Sequence, residues 1–217
     1  MAFQSDREGD LALFWQRADG AGTAERLTKP EQGTSHVPES WAPDGKTVLV
    51  AVSKGSSVSL WAFSMPSKQA AAYGGVQASL PISAAFSPDG QWVAYSDLTA
   101  GTLVQPFPAT GAKYQISPAS SPAWSPDGKE LILRSGGGSV LAVSGITTKP
   151  SFTFASPGDL PQGNFLQSTF ERNFDIMPDG KRFVGVIAAD QTQSGSTGTQ
   201  PIQVVENWFE ELKARVK

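Results

Sequence analysis

The sequence contains no cysteine, so disulfide bonds and thiolate metal ligands are excluded and the redox compartment is left open. Histidine occurs once, at His36, which leaves a single imidazole for base catalysis or metal binding. Neither charge sign dominates: the net charge is -3, which gives no reason to expect nucleic acid or an anionic membrane as a partner. No apolar run approaches the ~20 residues that cross a bilayer, so membrane insertion is not expected.

The N-terminal segment, MAFQSDREGD, has neither the basic n-region nor the apolar h-region of a signal peptide. As encoded, the chain is therefore expected to be cytoplasmic. A Gly-x-Ser-x-Gly nucleophile elbow does not occur in the sequence. The segment Gly45-Lys46-Thr47 lacks the upstream glycine of a phosphate-binding loop.

Glycine and proline are abundant, at 22 and 16 of 217 residues, which predicts many turns. Pro-Asp-Gly occurs four times, each time followed by a polar residue and a short β-rich run. Proline presets φ at the second position of a turn, aspartate suits the third, and glycine accepts the positive φ that closes a hairpin. A structural role is therefore assigned to the aspartates and glycines of these turns: Asp44, Gly45, Asp89, Gly90, Asp127, Gly128, Asp179 and Gly180.

The turn prolines are separated by 45, 38 and 52 residues, close to the ~40–45 residues of a four-stranded propeller blade. A four-stranded meander cannot bury both faces alone, so neighbouring units must stack on it. The prediction is an all-β propeller of about five four-stranded units, the first lacking its inner strand and the last its outer strand. The unit limits are about 1–30, 31–78, 79–118, 119–157 and 158–206, with a short C-terminal helix at 207–217.

The segments FSPDGQWVAYSD and SDREGDLALFWQRADGAGTAERLT resemble the WD40-like (PD40) repeats of TolB-type β-propellers. The tail, RNFDIMPDGKRFVGVI with PIQVVENWFEEL, resembles the last blade of propellers that follow a kinase domain in bacterial receptor-type serine/threonine kinases. The resemblance implies a six- or seven-bladed extracytoplasmic module for sensing or protein binding, whereas about five units are present here. It also implies that the chain is part of a larger sensor-type protein, or a short reading frame derived from one.

His36 and Glu39 stand where the inner strand of the second unit is expected to begin. Inner strands line the channel of a propeller, so both residues are candidates for a channel site. Together with carbonyl and water ligands, they are candidate ligands of a divalent metal in a hydrolase acting on esters, lactones or phosphotriesters. The alternative interpretation is a hydrogen-bonded loop histidine and no cofactor.

Three polar residues, Glu171, Arg172 and Asn173, precede the inner strand of the last unit and are further channel-binding candidates. The guanidinium of Arg172 is suited to clamping a carboxylate or phosphate. The alternative is an ion pair with Glu39 or Asp175. His36, Glu39 and Arg172 are thus the candidates for a catalytic role.

The residue two positions before each turn proline is large and apolar or aromatic. This recurrence at one position predicts that these side chains form a core between neighbouring blades. They are Trp41, Phe86, Trp124 and Ile176. At the end of the chain, Asn207 and Glu210 form a capping-box pattern in front of an apolar stripe that includes Trp208. A helix this short is marginal alone, so it must pack on the ring or on another copy. The incomplete units and the Trp208 helix together predict a homo-oligomer, most simply a two-fold dimer.

The sequence therefore favours a non-catalytic binding or sensing propeller whose partner is a protein or a small ligand. The alternative is a metal-assisted hydrolase that uses the channel, so the pattern leaves enzymatic activity open.

Overall fold

A computed structural model describes residues 1–79, 82–97, 99–117, 119–134, 140–143, 145–148, 151–159, 172, 174–180 and 182–185. The described residues belong to the first of two compact units, Met1–Ile187; the second, Ala188–Lys217, lies outside them. Within these ranges the chain forms 17 strands. No helix among them has the length and apolarity needed to cross a membrane.

The strands form five successive antiparallel meanders, in which each strand pairs with the next one along the chain. The first sheet has three strands, β1 (Ala2–Ser5), β2 (Ala12–Trp15) and β3 (Glu25–Arg26). The second has four, β4 (Thr34–Trp41), β5 (Thr47–Lys54), β6 (Ser57–Ser64) and β7 (Gln69–Ala78). The third consists of β8 (Ala85–Phe86), β9 (Trp92–Asp97), β10 (Gly101–Pro106) and β11 (Tyr114–Ser117).

The fourth sheet contains β12 (Ser120–Trp124), β13 (Leu131–Arg134), β14 (Val140–Val143) and β15 (Gly158–Asp159). The fifth sheet has two described strands, β16 (Phe174–Ile176) and β17 (Phe183–Gly185). Its predicted third strand and the predicted helix at 207–217, including Trp208, lie outside the described residues.

Each Pro-Asp-Gly segment makes the turn between the first two strands of its sheet. In all four turns the glycine N–H donates to the carbonyl three residues earlier, at 2.8–2.9 Å. The four glycines have φ between +66° and +70°, a region that side chains with a Cβ disfavour. The carboxylates of Asp44, Asp89 and Asp127 each accept the backbone N–H two residues on, at 2.9–3.1 Å. These aspartates therefore act as turn formers.

Successive turns stack on one another from sheet to sheet. A Cβ atom at Gly90 would lie 3.2 Å from Cδ of Pro43, in the turn of the preceding sheet. The corresponding distances are 3.6 Å from Gly128 to Pro88 and 3.7 Å from Gly180 to Pro126. The motif thus shapes the turn and also forms part of the contact between neighbouring sheets.

Apolar clusters fill the spaces between successive sheets. Leu13 packs with Val48 and Phe63 between the first two sheets, and Leu49 with Phe86 between the second and third. The residue two positions before each turn proline belongs to one of these clusters, and each lies in a different cluster. They are Trp41, Phe86, Trp124 and Ile176. Stacked faces therefore supply the buried area that one meander alone lacks.

The fourth sheet departs from the sequence-based interpretation in its last strand. SFTFAS, at 151–156, reads as a strand, but the fourth strand is Gly158–Asp159, so this sheet extends past the expected limit at residue 157. Phe152 instead packs against Trp92 and Tyr114, with ring centroids 4.8 Å away from each. The backbone of this segment bonds to Thr147 instead of to β14, through two hydrogen bonds between Thr147 and Thr153 at 2.9 and 3.0 Å.

Candidate functional site: a cavity beside the inner strands

The first strands of the second and fourth sheets pair irregularly with their neighbours. The pairing of β4 with β5 shifts register between Pro38 and Ser40, and that of β12 with β13 shifts between Ser120 and Ala123. Ser83 and Ser121 have φ of +47° and +55°, which is rare for residues other than glycine. Such bulges redirect side chains and are frequent beside binding sites.

A cavity of about 430 Å³ lies beside Glu39 in the bulge of β4 and Ser83 just before β8, between the second and third sheets. We call it the inner-strand cavity. Its polar wall consists of Glu39, Arg172 and four serines, namely Ser53, Ser56, Ser79 and Ser83. It thus combines both charge signs with hydroxyl groups that donate and accept hydrogen bonds. The volume falls in the ordinary range of ligand pockets, ~300–1,000 Å³.

Glu39 fixes the junction between the two sheets. Its Oε2 atom accepts the backbone N–H of Ala84 at 3.0 Å, a contact that spans 45 residues of sequence. Ser40 adds a second link, because its Oγ accepts the N–H of Phe86 at 3.1 Å. The carboxylate of Glu39 therefore has a positioning role in addition to facing the cavity.

Arg172 reaches the same cavity from the segment before β16. It is half-buried, and its Nη1 atom donates to the carbonyl oxygen of Pro122 at 3.1 Å. A guanidinium carries five N–H donors, so this one bond does not exhaust its capacity. The other two candidates from this segment, Glu171 and Asn173, lie outside the described residues.

His36 does not share the inner-strand cavity with Glu39. His36 pairs with Val52, which packs toward the first sheet, whereas Glu39 is the extra residue of the bulge between Pro38 and Ser40 and bonds to the third-sheet side at Ala84. His36 lines a second cavity, between the first and second sheets. Its backbone N–H donates to the carbonyl of Leu11 at 2.9 Å, and its own carbonyl accepts from Nε2 of Gln4 at 3.0 Å.

The environment of His36 favours the neutral imidazole. Burial lowers the pKa of His36, and the nearby charge of Asp10 opposes this shift more weakly. Within the described ranges, no group of three or more His, Asp or Glu side chains is arranged to hold a metal ion. The sequence predicts that His36 and Glu39 lie together at a divalent metal. In the structure the two side chains line different cavities.

Sequence reasoning missed the serines of the inner-strand cavity. Ser83 carries one usable signal, because it stands five residues before Pro88, as Pro38 stands five residues before Pro43. Ser53 lies near the end of β5 and Ser56 in the turn to β6, where serine is common for reasons of turn formation alone. Their position at the cavity follows only from the way the sheets stack.

Comparison with known proteins identifies the architecture. TolB from Acinetobacter baumannii has a TM-score of 0.55 at 21% identity, over 73% of this chain and 41% of that chain. A structure from Agrobacterium tumefaciens that carries the TolB name has a TM-score of 0.58 at 17% identity, over 85% and 70% of the two chains. The chain has an all-β, TolB-like β-propeller fold, as the sequence predicts.

In sequence, no family model matches this chain. The uncharacterized peptidase YuxL of Bacillus subtilis is 42% identical over 60 residues, which is 28% of this chain and 9% of that protein. The chain thus spans a small part of YuxL and less than half of the Acinetobacter baumannii TolB. At these levels of similarity the structural comparisons define the fold alone.

Proposed function

We propose that this propeller is a non-catalytic binding module and that the inner-strand cavity receives the end of an extended polypeptide. The observation that carries the proposal is the meeting of Glu39, Arg172 and four serines around one cavity. A planar guanidinium matches the geometry of a carboxylate, and hydroxyl groups match the donors and acceptors of a peptide backbone.

The proposed ligand carries a free carboxylate, which Arg172 binds. Arg172 is held in place by Pro122, so little side-chain entropy remains to be lost on binding. The carboxylate of Glu39 is anchored by Ala84 and repels acidic side chains elsewhere in the ligand. This arrangement favours one terminal carboxylate over an acidic run.

A peptide library tests the proposal. Hexapeptides with free C-terminal carboxylates and the same peptides in amidated form are titrated against wild type, Arg172→Gln and the control Lys129→Gln. Lys129 is 77% exposed on a turn of the fourth sheet and does not line the cavity. We expect free-acid peptides to bind wild type and the control equally. Hydrogen bonds to charged groups contribute about 1.5–3 kcal/mol, so Arg172→Gln should weaken binding about tenfold or more.

Mass spectrometry of the same mixtures tests the absence of catalysis. Equal binding of amidated and free peptides, or equal binding to wild type and Arg172→Gln, would contradict the assigned role of Arg172. Peptide cleavage by wild type would contradict a non-catalytic module.

We also propose that the protein forms homo-oligomers. In the first sheet β1 is an edge strand, since the sheet order among the described strands is β1-β2-β3. Edge strands present unpaired backbone groups that favour association with another chain. Light scattering at micromolar concentration should give a mass above 22.9 kDa. A monomer for both the full chain and a chain lacking residues 207–217 would refute the idea.

A further inference from the structure

The second cavity, lined in part by His36, lies between the first and second sheets and has a volume of about 480 Å³. We call it the first-interface cavity. It exists because the two sheets differ in size: β3 has 2 residues, whereas β5, β6 and β7 have 8, 8 and 10. The first sheet therefore covers only part of the face that the second sheet turns toward it.

The covered part of that face is an ordinary core. Val48, Val50 and Phe63 pack against Leu13 and Leu27 of the first sheet. Further along the same face, Val50 and Val52 of β5 and Trp61 of β6 line the cavity. Alternation along the strands places these residues on one face, opposite the face that packs on the third sheet.

Trp61 gives the cavity an aromatic wall. Its indole Nε1 atom donates to Oγ of Ser59 at 2.9 Å, two residues away on the same strand. The polar edge of the ring is thus satisfied within the protein, and Trp61 stays half-buried. Because the N–H is already bonded, the indole is suited to stacking on a planar apolar group.

The rim of the cavity carries an excess of positive charge. Lys29, Lys54 and Glu31 all line it. Lys54 pairs with Glu31 at 3.2 Å, whereas Lys29 has no ion pair with any residue that the structure describes. His36 adds no charge near neutral pH, because burial lowers its pKa. The local balance is therefore one positive charge beside an apolar wall.

We propose that the first-interface cavity binds a small aromatic anion. The ring system lies against Trp61 and the two valines, and the acid group lies near Lys29 at the rim. This site is independent of the inner-strand cavity, because the two lie on opposite faces of the second sheet. An experiment that refutes the peptide site in the inner-strand cavity therefore does not affect the site proposed here, and the reverse also holds.

Two fluorescent probes with nearly the same rings test the proposal. 8-Anilinonaphthalene-1-sulfonate is an anion, and N-phenyl-1-naphthylamine lacks its sulfonate. Each is titrated against folded wild type, Lys29→Glu, Trp61→Ala, Trp61→Phe and the control Lys129→Gln, with melting temperatures to verify folding. Energy transfer from tryptophan to the bound probe locates the site, because Trp61→Phe removes the tryptophan that lines the cavity.

Wild type should bind one equivalent of each probe, and the sulfonate more tightly. Exposed charge pairs contribute up to ~1 kcal/mol, so Lys29→Glu should weaken binding of the sulfonate about fivefold and leave the neutral probe within twofold. Trp61→Ala should weaken both probes about tenfold, whereas Trp61→Phe keeps a ring and should bind nearly as wild type.

Three outcomes would overturn the proposal: no binding by wild type, several equivalent sites, or unchanged affinity of both probes for Trp61→Ala. Equal weakening of the two probes by Lys29→Glu would overturn the assigned role of charge. The control Lys129→Gln should match wild type, and a loss of affinity there as large as in Lys29→Glu would also count against the site.

Discussion

The stacking of successive turns makes a quantitative prediction about two glycines. Gly45 and Gly90 occupy the same position in the turns of the second and third sheets, with φ of +68° and +69°. A Cβ atom at position 45 would meet nothing within 4 Å. At position 90 it would lie 3.2 Å from Cδ and 3.7 Å from Cγ of Pro43. The two alanine variants therefore differ in crowding and share the same backbone strain.

The strain common to both variants is that of an alanine in the left-handed region, about 1–2 kcal/mol. The crowding at position 90 adds to it, because the ring of Pro43 is rigid and belongs to a hydrogen-bonded turn. Overpacking of a well-packed region costs about 1–3 kcal/mol. Gly90→Ala should therefore lower the free energy of unfolding by about 1 kcal/mol or more beyond Gly45→Ala.

Urea unfolding followed by tryptophan fluorescence measures the difference. For a domain of this size, 1 kcal/mol corresponds to about 2–4 °C in melting temperature, so a thermal melt provides a second readout. Gly128→Ala is an internal control, because its Cβ would lie at an ordinary 3.6 Å from Pro88. It should resemble Gly45→Ala. Equal losses for Gly45→Ala and Gly90→Ala, or a larger loss for Gly128→Ala, would refute stacking as the source of the effect.

Three further predictions concern buried polar groups and pH. Burial raises the pKa of Tyr73 and of Tyr95, so unfolded chains ionise first above about pH 10 and stability should fall there. Urea midpoints between pH 9 and 12 should fall less steeply in Tyr73→Phe, and an unchanged slope would contradict the prediction. Hydrogen bonds from two backbone N–H groups and a hydroxyl lower the pKa of Asp97. Its contribution to stability is thus complete above about pH 4 and is lost as the pH falls through the folded-state pKa. Between pH 5 and 2, the free energy of unfolding of Asp97→Asn should therefore fall less steeply with decreasing pH than that of wild type. Equal slopes for the two proteins would contradict the prediction. Ser96→Ala removes the acceptor of the buried Ser121 N–H, at 2.9 Å, and should cost about 1–3 kcal/mol in urea unfolding; a loss below about 0.5 kcal/mol would mean that this N–H finds another partner.

Most of the fold follows from the sequence because turn chemistry is local. The φ of glycine, the fixed ring of proline and the side-chain acceptor of aspartate act within four residues, so the pattern alone places each hairpin. The short β-rich run after each turn forms the second strand of its sheet, namely β5, β9, β13 and β17. Among the described residues, the β-rich segment at 151–156 does not form the fourth strand of its sheet, and Phe152 packs on Trp92, which is distant in the chain.

The candidate site is only partly predictable because cavities form between elements that are distant in the chain. Arg172 and Glu39 line one cavity although 133 residues separate them. His36 stands three residues from Glu39 and faces a different sheet. Proximity in the sequence therefore predicted that His36 and Glu39 act together, whereas the bulged strand β4 directs them to different cavities and the fold brings Arg172 to the cavity of Glu39.

One position of the repeat shows why a sequence can reveal this fold more readily than its function. The residue five places before the turn proline is Pro38, Ser83 or Ser121 in the second, third and fourth sheets. Ser83 and Ser121 have positive φ there, and the strand that contains Pro38 shifts register directly after it. The architecture thus requires an irregular backbone at this point but no particular side chain. Residues beside it are free to vary in chemistry, as Glu39 and Ala84 do at successive strands. The repeat consequently marks where the inner-strand cavity lies, and the side chains that the repeat does not constrain determine the chemistry of its wall.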